Sequence, residues 1–162
     1  MNLRKASIGD LPSIRDIYNE AIRNTTAVYE YEEFTDAYMK SWFIEKTEKK
    51  NPILVMESEG EVAGFATYGT FRQRAAYQFT AEHSLYVHAS FQRQGIGKQL
   101  LISIMEEAKS NKIHTLIGGI DASNIVSLAM HKEAGFIQSG LIKEAAFKFD
   151  RWLDLVFMQK IL

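Results

Sequence analysis

Residues 82–98 read Glu-His-Ser-Leu-Tyr-Val-His-Ala-Ser-Phe-Gln-Arg-Gln-Gly-Ile-Gly-Lys and join three local patterns in one segment. Residues 85–87 form the apolar and aromatic run that is typical of a strand. Residues 95–97 form a glycine turn directly ahead of a strongly helical sequence. Such a turn leaves backbone N–H groups without partners in the helix, and the helix dipole adds positive potential there. The segment therefore predicts a site for a phosphate-bearing cofactor, with Glu82 placed to do chemistry beside it.

The composition is that of a folded globular protein, and we expect one domain over residues 1–162. Apolar residues make up 46% of the chain and aromatic residues 12%, which argues against a disordered chain. The net charge of −1 gives no general reason to expect nucleic acid or an anionic membrane as a partner. Any site that binds an anion must therefore rely on local groups rather than on the net charge of the chain.

The absence of cysteine excludes disulfides, thiolate metal sites and a cysteine nucleophile. The N-terminal Met-Asn-Leu-Arg-Lys leads into a polar helix start, without the apolar core of a signal peptide. No apolar run approaches the roughly 20 residues that span a bilayer. We therefore expect a soluble, cytoplasmic protein without a membrane partner.

Hydrophobic periodicity predicts a mixed sheet with helices on both faces. Asp10 closes a capping box that starts at Ser7, and Pro12 marks the first helix. Ser123 is expected to cap the last helix, and Gly135 to end it. Strands are expected at residues 2–6, 52–58, 62–68, 79–87, 114–120, 136–147 and 152–161, and helices at residues 12–22, 36–49, 98–110 and 124–134.

Two familiar nucleotide-binding patterns fail at the glycine turn. A P-loop would need glycine at Gln92 and serine or threonine at Gln99 to hold magnesium. A dinucleotide fingerprint would need a third glycine at Leu100. Both nucleotide interpretations are therefore weak.

A different pattern fits the turn. Residues 92–97 have the form Gln/Arg-x-x-Gly-x-Gly/Ala, which resembles the acetyl-coenzyme A pyrophosphate loop of the GNAT superfamily of N-acetyltransferases. Downstream, residues 124–136 contain the spaced Asn, Ser, His and Gly-Phe that look like the superfamily's Asn…Gly-Phe helix. The resemblance implies an α/β (α+β) fold: a GNAT-type mixed, mostly antiparallel twisted sheet of about seven strands flanked by about four helices.

The resemblance narrows to phosphinothricin-type and methionine sulfoximine-type acetyltransferases. Residues 80–88 look like that group's Val-Glu-x-Ser-Val-Tyr-Val-His strand, and residues 148–155 resemble its closing Lys-Phe-Gly-Arg-Trp-Leu-Asp-Leu signature. Ala81 stands in place of the usual valine, Asp150 replaces glycine, and Val28 aligns with a position that is often aromatic. The last difference bears on pocket shape, and so on the identity of the substrate.

The resemblance implies acetyl-CoA as co-substrate and no metal. The pantetheine arm is expected to lie along the backbone of residues 85–87. Asn124 is expected to form a hydrogen bond to the same arm. The alternative for Asn124 is a helix-start residue that bonds its own backbone. The turn is expected to hold the pyrophosphate through backbone donors, with added charge from the side chains of Arg93 and Lys98. The predicted cofactor-binding residues are Leu85, Tyr86, Val87, Gln92, Arg93, Gln94, Gly95, Ile96, Gly97, Lys98 and Asn124.

Two residues are the candidates for proton transfer. Glu82 is the predicted general base, because a carboxylate buried in an apolar strand would have a raised pKa; a structural salt bridge is the alternative. His131 matches the group's second catalytic position, and a structural helix histidine is its alternative. His83 and His88 are interpreted as sheet-face or loop residues, and the four histidines have no convincing metal spacing.

The predicted substrate-binding residues are Arg72, Arg74 and Tyr77, since arginine grips a carboxylate bidentately; surface arginines are the alternative. The leading hypothesis is acetyl transfer to the α-amine of a small amino-acid-like compound of the phosphinothricin, methionine sulfoximine or methionine sulfone type. The rivals are a protein N-terminal or polyamine acetyltransferase and a non-catalytic acetyl-CoA sensor. Relatives form dimers, so Arg151-Trp152 is expected either to pack internally or to complete a homodimer interface.

Overall fold

The computed structural model describes residues 1–162 as seven strands and four helices, which confirms the predicted fold class. Three short 3-10 turns lie between these elements. The strands are β1 (Asn2–Lys5), β2 (Ile53–Ser58), β3 (Glu61–Thr70), β4 (Thr80–Val87), β5 (Thr115–Asp121), β6 (Ile137–Lys148) and β7 (Arg151–Ile161). The helices are α1 (Leu11–Asn24), α2 (Asp36–Glu48), α3 (Ile96–Ser110) and α4 (Ile125–Glu133).

The strands form one sheet in the order β1-β2-β3-β4-β5-β7-β6. Every neighbouring pair is antiparallel except β4 and β5, which run parallel. The β2–β3 connection is a tight hairpin through Glu59 and Gly60, at φ 55° and 84°. Positive φ at both positions is the geometry of the turn whose twist suits a hairpin.

The parallel pair β4–β5 stops pairing before either strand ends. Its register runs from Thr80 opposite Thr115 to His83 opposite Gly118. Beyond that point β4 continues through residues 84–87 and β5 through residues 119–121. Both strands stay paired on their outer sides, to β3 and β7 respectively. A cleft therefore opens between them in the middle of the sheet.

Each face of the sheet has its own hydrophobic core. On one face α1 and α2 pack against the sheet through a cluster that includes Ile14, Met39 and Phe65. On the other face α3 and the adjoining α4 cover a second cluster that includes Leu100 and Phe136. A buried side chain of this size contributes about 1.5–3 kcal/mol, so both faces hold the strands firmly around the cleft.

Two details differ from the sequence predictions. Helix α3 begins at Ile96 rather than at Lys98, because Gly95 adopts the left-handed conformation at the helix N-cap. The N-cap of α4 is Asn124 rather than Ser123, since the Asn124 side chain accepts a hydrogen bond from the Ser127 N–H. None of the four helices is both long enough and apolar enough to cross a membrane.

Candidate active site

Side chains alternate along β4, and the two faces have different chemistry. Tyr86 lies on the face of α1, with its ring centroid 4.9 Å from that of Tyr18. His83 lies on the opposite face, 5.5 Å from Phe136 by ring centroids. Glu82 shares the face of Tyr86, whereas His131 of α4 contacts His83. The two predicted catalytic residues therefore stand on opposite faces of the sheet, beside the cleft that joins those faces.

Glu82 is exposed, so the prediction that it is buried is wrong. The ladder between β4 and β5 ends one residue later, which leaves the carboxylate beside the open cleft rather than under a strand. Glu82 forms no salt bridge, and its Oε1 atom lies 3.0 Å from the position that a Cβ on Gly119 would occupy. Partial desolvation by the surrounding walls raises the pKa of the Glu82 carboxyl, and the Arg72 guanidinium lowers it.

His83 and His131 form a buried pair, only 5% and 3% exposed. Their Nε2 atoms are 2.9 Å apart. The Nδ1 of His83 lies 2.9 Å from the Ile117 carbonyl oxygen, and the Nδ1 of His131 lies 2.7 Å from the Ser127 carbonyl oxygen. Burial lowers the pKa of both imidazoles, to about 3 for His83, where the neighbouring His131 adds to the effect. Sequence reasoning assigned His83 to the sheet face and missed this contact.

The cleft between β4 and β5 brings backbone and side chains from four parts of the chain together. A Cβ at Gly118 would stand 2.8 Å from the His83 Cε1 atom, so glycine at this position leaves room for the imidazole. The lining residues are Ala27 of the α1–α2 loop, residues 83–86 of β4, residues 118–121 of β5, and Asn124, Ser127 and His131 around α4. Gly118, Gly119 and Ser127 were not among the predicted site residues.

The glycine turn presents a run of free backbone donors. The N–H groups of residues 93–98 have no acceptor within the protein, since the first helical bond runs from Gln99 N–H to the Gly95 carbonyl. Arg93 and Gly95 adopt positive φ values of 63° and 81°, which turn the backbone toward the helix axis. Lys98 adds an ammonium at the same end, 3.4 Å from a Glu133 carboxylate oxygen. This arrangement fits the pyrophosphate of coenzyme A.

Two polar side chains at the start of α4 have unused capacity. Asn124 uses its Oδ1 atom to accept from the Ser127 N–H at 3.1 Å, as the structural alternative anticipated, and its amide N–H₂ group has no partner in the protein. Asp121 is 4% exposed, and its Oδ1 atom accepts from the Ser123 N–H at 2.9 Å. Its Oδ2 atom is buried without any partner. Both residues line the cleft, where the amide group of Asn124 is available to a ligand.

The predicted substrate residues are exposed and differ in their relation to Glu82. Arg72 lies close enough to lower the pKa of the Glu82 carboxyl, with its guanidinium 5.3 Å from the centroid of the Phe71 ring. Tyr77 packs edge-on against the same ring at 5.9 Å. Arg74 begins the 3-10 turn of residues 75–77 and makes no hydrogen bond or ion pair through its side chain. The structure thus brings Arg72 to Glu82 and does not bring Arg74 there.

Lys148 fixes the loop that carries Ala27, a role that sequence reasoning missed. Its Nζ atom donates to the Thr25 carbonyl at 2.8 Å and to the Val28 carbonyl at 2.7 Å. Burial lowers the pKa of the Lys148 ammonium, whereas Glu30 raises it. The β6–β7 hairpin is thereby tied to one wall of the cleft.

Residues 12–136 match the Acetyltransferase (GNAT) family. This chain belongs to the GNAT acetyltransferase family. The resemblance that the turn at residues 92–97 predicted is therefore confirmed. No group of three or more His, Cys, Asp or Glu side chains is close enough together to hold a metal ion.

Individual relatives of this GNAT acetyltransferase cover nearly its whole length. It is 38% identical over 159 residues to an L-methionine sulfoximine/L-methionine sulfone acetyltransferase of Pseudomonas aeruginosa, covering 98% of this chain and 92% of the relative. A phosphinothricin acetyltransferase of Sinorhizobium meliloti, solved with AcCoA, matches with a TM-score of 0.96 and 36% identity, over 99% of this chain and 88% of that one. A ribosomal-protein-alanine N-acetyltransferase of Brucella melitensis matches with a TM-score of 0.98 and 41% identity, over 100% of both chains.

Proposed function

We propose that this GNAT acetyltransferase transfers the acetyl group of acetyl-CoA to the α-amine of a small amino-acid-like substrate of the phosphinothricin, methionine sulfoximine or methionine sulfone type. The cleft between β4 and β5 carries the proposal, because it lies between the free donors of residues 93–98 and the Glu82 carboxylate. The names of the Pseudomonas and Sinorhizobium relatives support this substrate type.

The donor is held by backbone groups at two places. The free N–H groups of residues 93–98 bind the pyrophosphate, and the unpaired inner edge of residues 85–87 receives the pantetheine arm as a partial extra strand. The amide group of Asn124 bonds the same arm. Acetyl-CoA supplies the activated thioester. A backbone N–H on β4 polarises the thioester oxygen and stabilises the oxyanion as it forms.

Glu82 is the general base in this proposal. Its carboxylate removes a proton from the substrate ammonium, directly or through water, and its raised pKa brings it closer to the pH at which a base works best. Because the chain has no cysteine, we propose direct transfer without a cysteinyl acetyl-enzyme. His131 assists proton movement from the other face of the sheet.

The amine substrate is oriented on the face of Glu82. Arg72 lies beside Glu82 and binds the α-carboxylate, with Arg74 and Tyr77 forming the outer rim of the same segment. Binding of the carboxylate by Arg72 places the neighbouring α-ammonium toward Glu82. A polyamine would lack that anchor, since a polyamine carries no carboxylate.

We further propose that the chain acts as one domain and forms a homodimer. The edge strand β6 and its neighbour β7 present an exposed apolar surface, in which Trp152 is 60% exposed and packs on Phe147 at 5.1 Å. Such a surface on an edge strand is typical of an interface. We place the enzyme in the cytoplasm, because acetyl-CoA is an intracellular metabolite.

One assay tests the function. Thiol release from acetyl-CoA is measured with phosphinothricin, methionine sulfoximine, methionine sulfone, spermidine and a peptide with an N-terminal alanine. The expected result is release with the first three compounds at a kcat/KM at least tenfold above the last two. Preference for the peptide would favour the activity named for the Brucella relative, and tight cofactor binding without release would favour a sensor.

A Glu82→Gln variant tests the base. The amide keeps the size of the side chain and loses the proton acceptor, so we expect kcat to fall by about 10²–10⁴-fold with little change in the Kd for acetyl-CoA. Wild-type kcat/KM is expected to fall as the pH drops through the Glu82 pKa. A pH-independent rate in the wild type would sink the role of Glu82 as base.

A further inference from the structure

The contacts of His83 and His131 favour a proton between their Nε2 atoms. A carbonyl oxygen only accepts hydrogen bonds, so the Nδ1 of each ring must carry hydrogen to bond the Ile117 and Ser127 carbonyls. A neutral ring with hydrogen on Nδ1 has a lone pair on Nε2. Two neutral rings would therefore direct two lone pairs at each other across 2.9 Å. One additional proton between the Nε2 atoms turns this repulsion into a hydrogen bond.

The buried environment of the two rings disfavours a second additional proton. Burial opposes positive charge on each ring and so works against the first proton as well; the 2.9 Å contact between the Nε2 atoms favours one shared proton but offers no partner to a second. Two imidazolium rings in contact would also repel each other. The pair therefore exchanges a single proton as one unit, and its titration belongs to the pair rather than to either ring.

Other ionisable groups near the pair leave this proton undisturbed. Tyr68 of β3 stands opposite His83 in the ladder, but its hydroxyl accepts from Asn111. Lys160 of β7 donates to the Ala134 carbonyl. Four other charged groups surround the pair: Glu82 on the opposite face of β4, Asp121 at the end of β5, and Lys132 and Glu133 on the exposed side of α4. None of them forms a hydrogen bond or ion pair with either ring.

The Ser127 hydroxyl connects the histidine pair to the cleft. Its Oγ atom lies 3.4 Å from the Nδ1 of His131, and Ser127 is part of the cleft wall. After the proton leaves, the Nε2–H of His131 donates to the Nε2 of His83, and the Nδ1 of His131 accepts from the Ser127 hydroxyl. In that state the Nδ1 of His131 also faces the Ser127 carbonyl oxygen at 2.7 Å with no hydrogen between them, so the protonated arrangement is the better satisfied of the two. The pair therefore has two arrangements that differ by one proton.

We propose that His83 and His131 hold one proton as a unit and pass it through the Ser127 hydroxyl to the sulfur that leaves during acetyl transfer. The proposal rests on the acetyl transfer proposed above and names the group that protonates the thiolate. In it Ser127 touches the reacting sulfur, and His83 is a positioning residue that acts through His131.

The step balances in atoms and charge. The amine nitrogen forms its bond to the acetyl carbon, the carbon–sulfur bond breaks, and the electron pair stays on sulfur. Sulfur takes the Ser127 hydroxyl proton, the Ser127 oxygen takes the Nδ1 proton of His131, and the shared proton moves onto the Nε2 of His131. The substrate ammonium loses two protons in becoming an amide. One passes through Glu82 to solvent, and the other recharges the pair through Ser127.

An NMR titration of the whole protein, labelled with ¹⁵N-histidine, tests the pair without any amine. The Nε2 signals of His83 and His131 are expected to shift together with one midpoint. In His83→Gln the His131 signal is expected to titrate alone at a different midpoint, whereas the matched control His114→Gln, on an exposed histidine, leaves the shared titration unchanged. Independent midpoints, or no titration of either ring in the folded protein, would overturn the proposal.

Kinetics test the transfer to sulfur. Ser127→Ala is expected to lower kcat by about a hundredfold with an unchanged KM for acetyl-CoA. Ser127→Thr keeps the hydroxyl and should retain most of the rate. In the pH profile of kcat, the alkaline limb is expected to shift in His83→Gln and to be unchanged in His114→Gln. An unchanged kcat in Ser127→Ala would overturn the route. If the protein acetylates no amine, the proposed acetyltransferase function is wrong. In that case the NMR titration alone tests whether His83 and His131 share a proton.

Discussion

Glu82 and Gly119 are neighbours across the β4–β5 pair, and the Glu82 Oε1 atom lies 3.0 Å from the place that a Cβ of residue 119 would take. The preceding Gly118 does the same on the opposite face, where its Cβ would meet the His83 ring. Two consecutive glycines on β5 therefore leave room for the carboxylate on one face and for the histidine pair on the other. The parallel strands part at this point, so both groups border the same opening.

Gly119→Ala is expected to displace the Glu82 carboxylate. A shift of about 1 Å at a reacting group lowers a rate by as much as 10²-fold, so we expect kcat to fall at least tenfold with the KM for acetyl-CoA unchanged. Steady-state kinetics over both substrates measure the effect. Gly140→Ala on β6 is the control, because its Cβ would meet only Phe157 at an ordinary 3.8 Å. Equal kcat values in the two variants would contradict the fit between Glu82 and Gly119.

Arg72→Ala is expected to move the acidic limb of the kcat/KM profile to higher pH. The Arg72 guanidinium favours the ionised Glu82, so its removal raises the Glu82 pKa further above the ordinary value. A base must be deprotonated to act, and the rate then falls at a higher pH than in the wild type. The KM for the amine also rises, because the carboxylate anchor is lost. The pH profile between pH 5 and 9 measures the limb.

Arg74→Ala is the matched control for the shift of the acidic limb of the kcat/KM pH profile. Arg74 lies in the same exposed segment but does not affect the Glu82 pKa. Its acidic limb is expected to coincide with that of the wild type, even if the KM for the amine changes. Equal shifts of the limb in both arginine variants would show that net charge, rather than the position of Arg72, sets the Glu82 pKa.

Gly95→Ala is expected to weaken acetyl-CoA binding. Gly95 has φ of 81° at the start of α3, and a Cβ there meets no atom within 4 Å, so the cost is backbone strain alone, about 1–2 kcal/mol. The strain is relieved by turning the N–H groups that face the pyrophosphate. Isothermal titration should show a Kd about tenfold higher.

Gly60→Ala separates this effect from general destabilisation. Gly60 has φ of 84° in the β2–β3 hairpin and equally open space around its Cβ position. Its substitution is expected to lower stability by a similar amount and to leave the Kd for acetyl-CoA unchanged. A similar loss of affinity in both glycine variants would argue against residues 93–98 as the pyrophosphate site.

Local patterns in the sequence predicted most of the fold and the frame of the site. The alternation of Glu82, His83 and Ser84 follows from the two-residue period of a strand, so their faces could be assigned without coordinates. The glycine turn at residues 95–97 could be located because positive φ and an uncapped helix start are local properties.

Features that depend on distant segments could not be predicted. His83 and His131 are 48 residues apart, and their contact depends on how α4 lies over the parting strands. Glu82 was expected to be buried because its neighbours are apolar, but the length of the β4–β5 ladder decides its exposure, and no local pattern sets that length. The buried Lys148 ammonium depends in the same way on a loop more than a hundred residues earlier, since its partners are the Thr25 and Val28 carbonyls.

Lys148→Met is expected to loosen the wall of the cleft that carries Ala27. The change keeps most of the length of the side chain and leaves two carbonyls without their donor, which costs about 1–3 kcal/mol. The Tm is expected to fall by about 5 °C, at roughly 2–4 °C for each kcal/mol in a chain of this size. The KM for the amine should rise more than the KM for acetyl-CoA, because the loop borders the cleft away from the turn at residues 93–98.

Lys143→Met is the control, since it removes an exposed ammonium from the same strand. We expect its Tm and both KM values to match those of the wild type, because a single exposed charge contributes little to stability. Thermal unfolding followed by circular dichroism and steady-state kinetics measure both variants. If Lys148→Met unfolded at the wild-type temperature, the two hydrogen bonds would not hold the loop, and the amine pocket would owe its shape to the packing of Val28 alone.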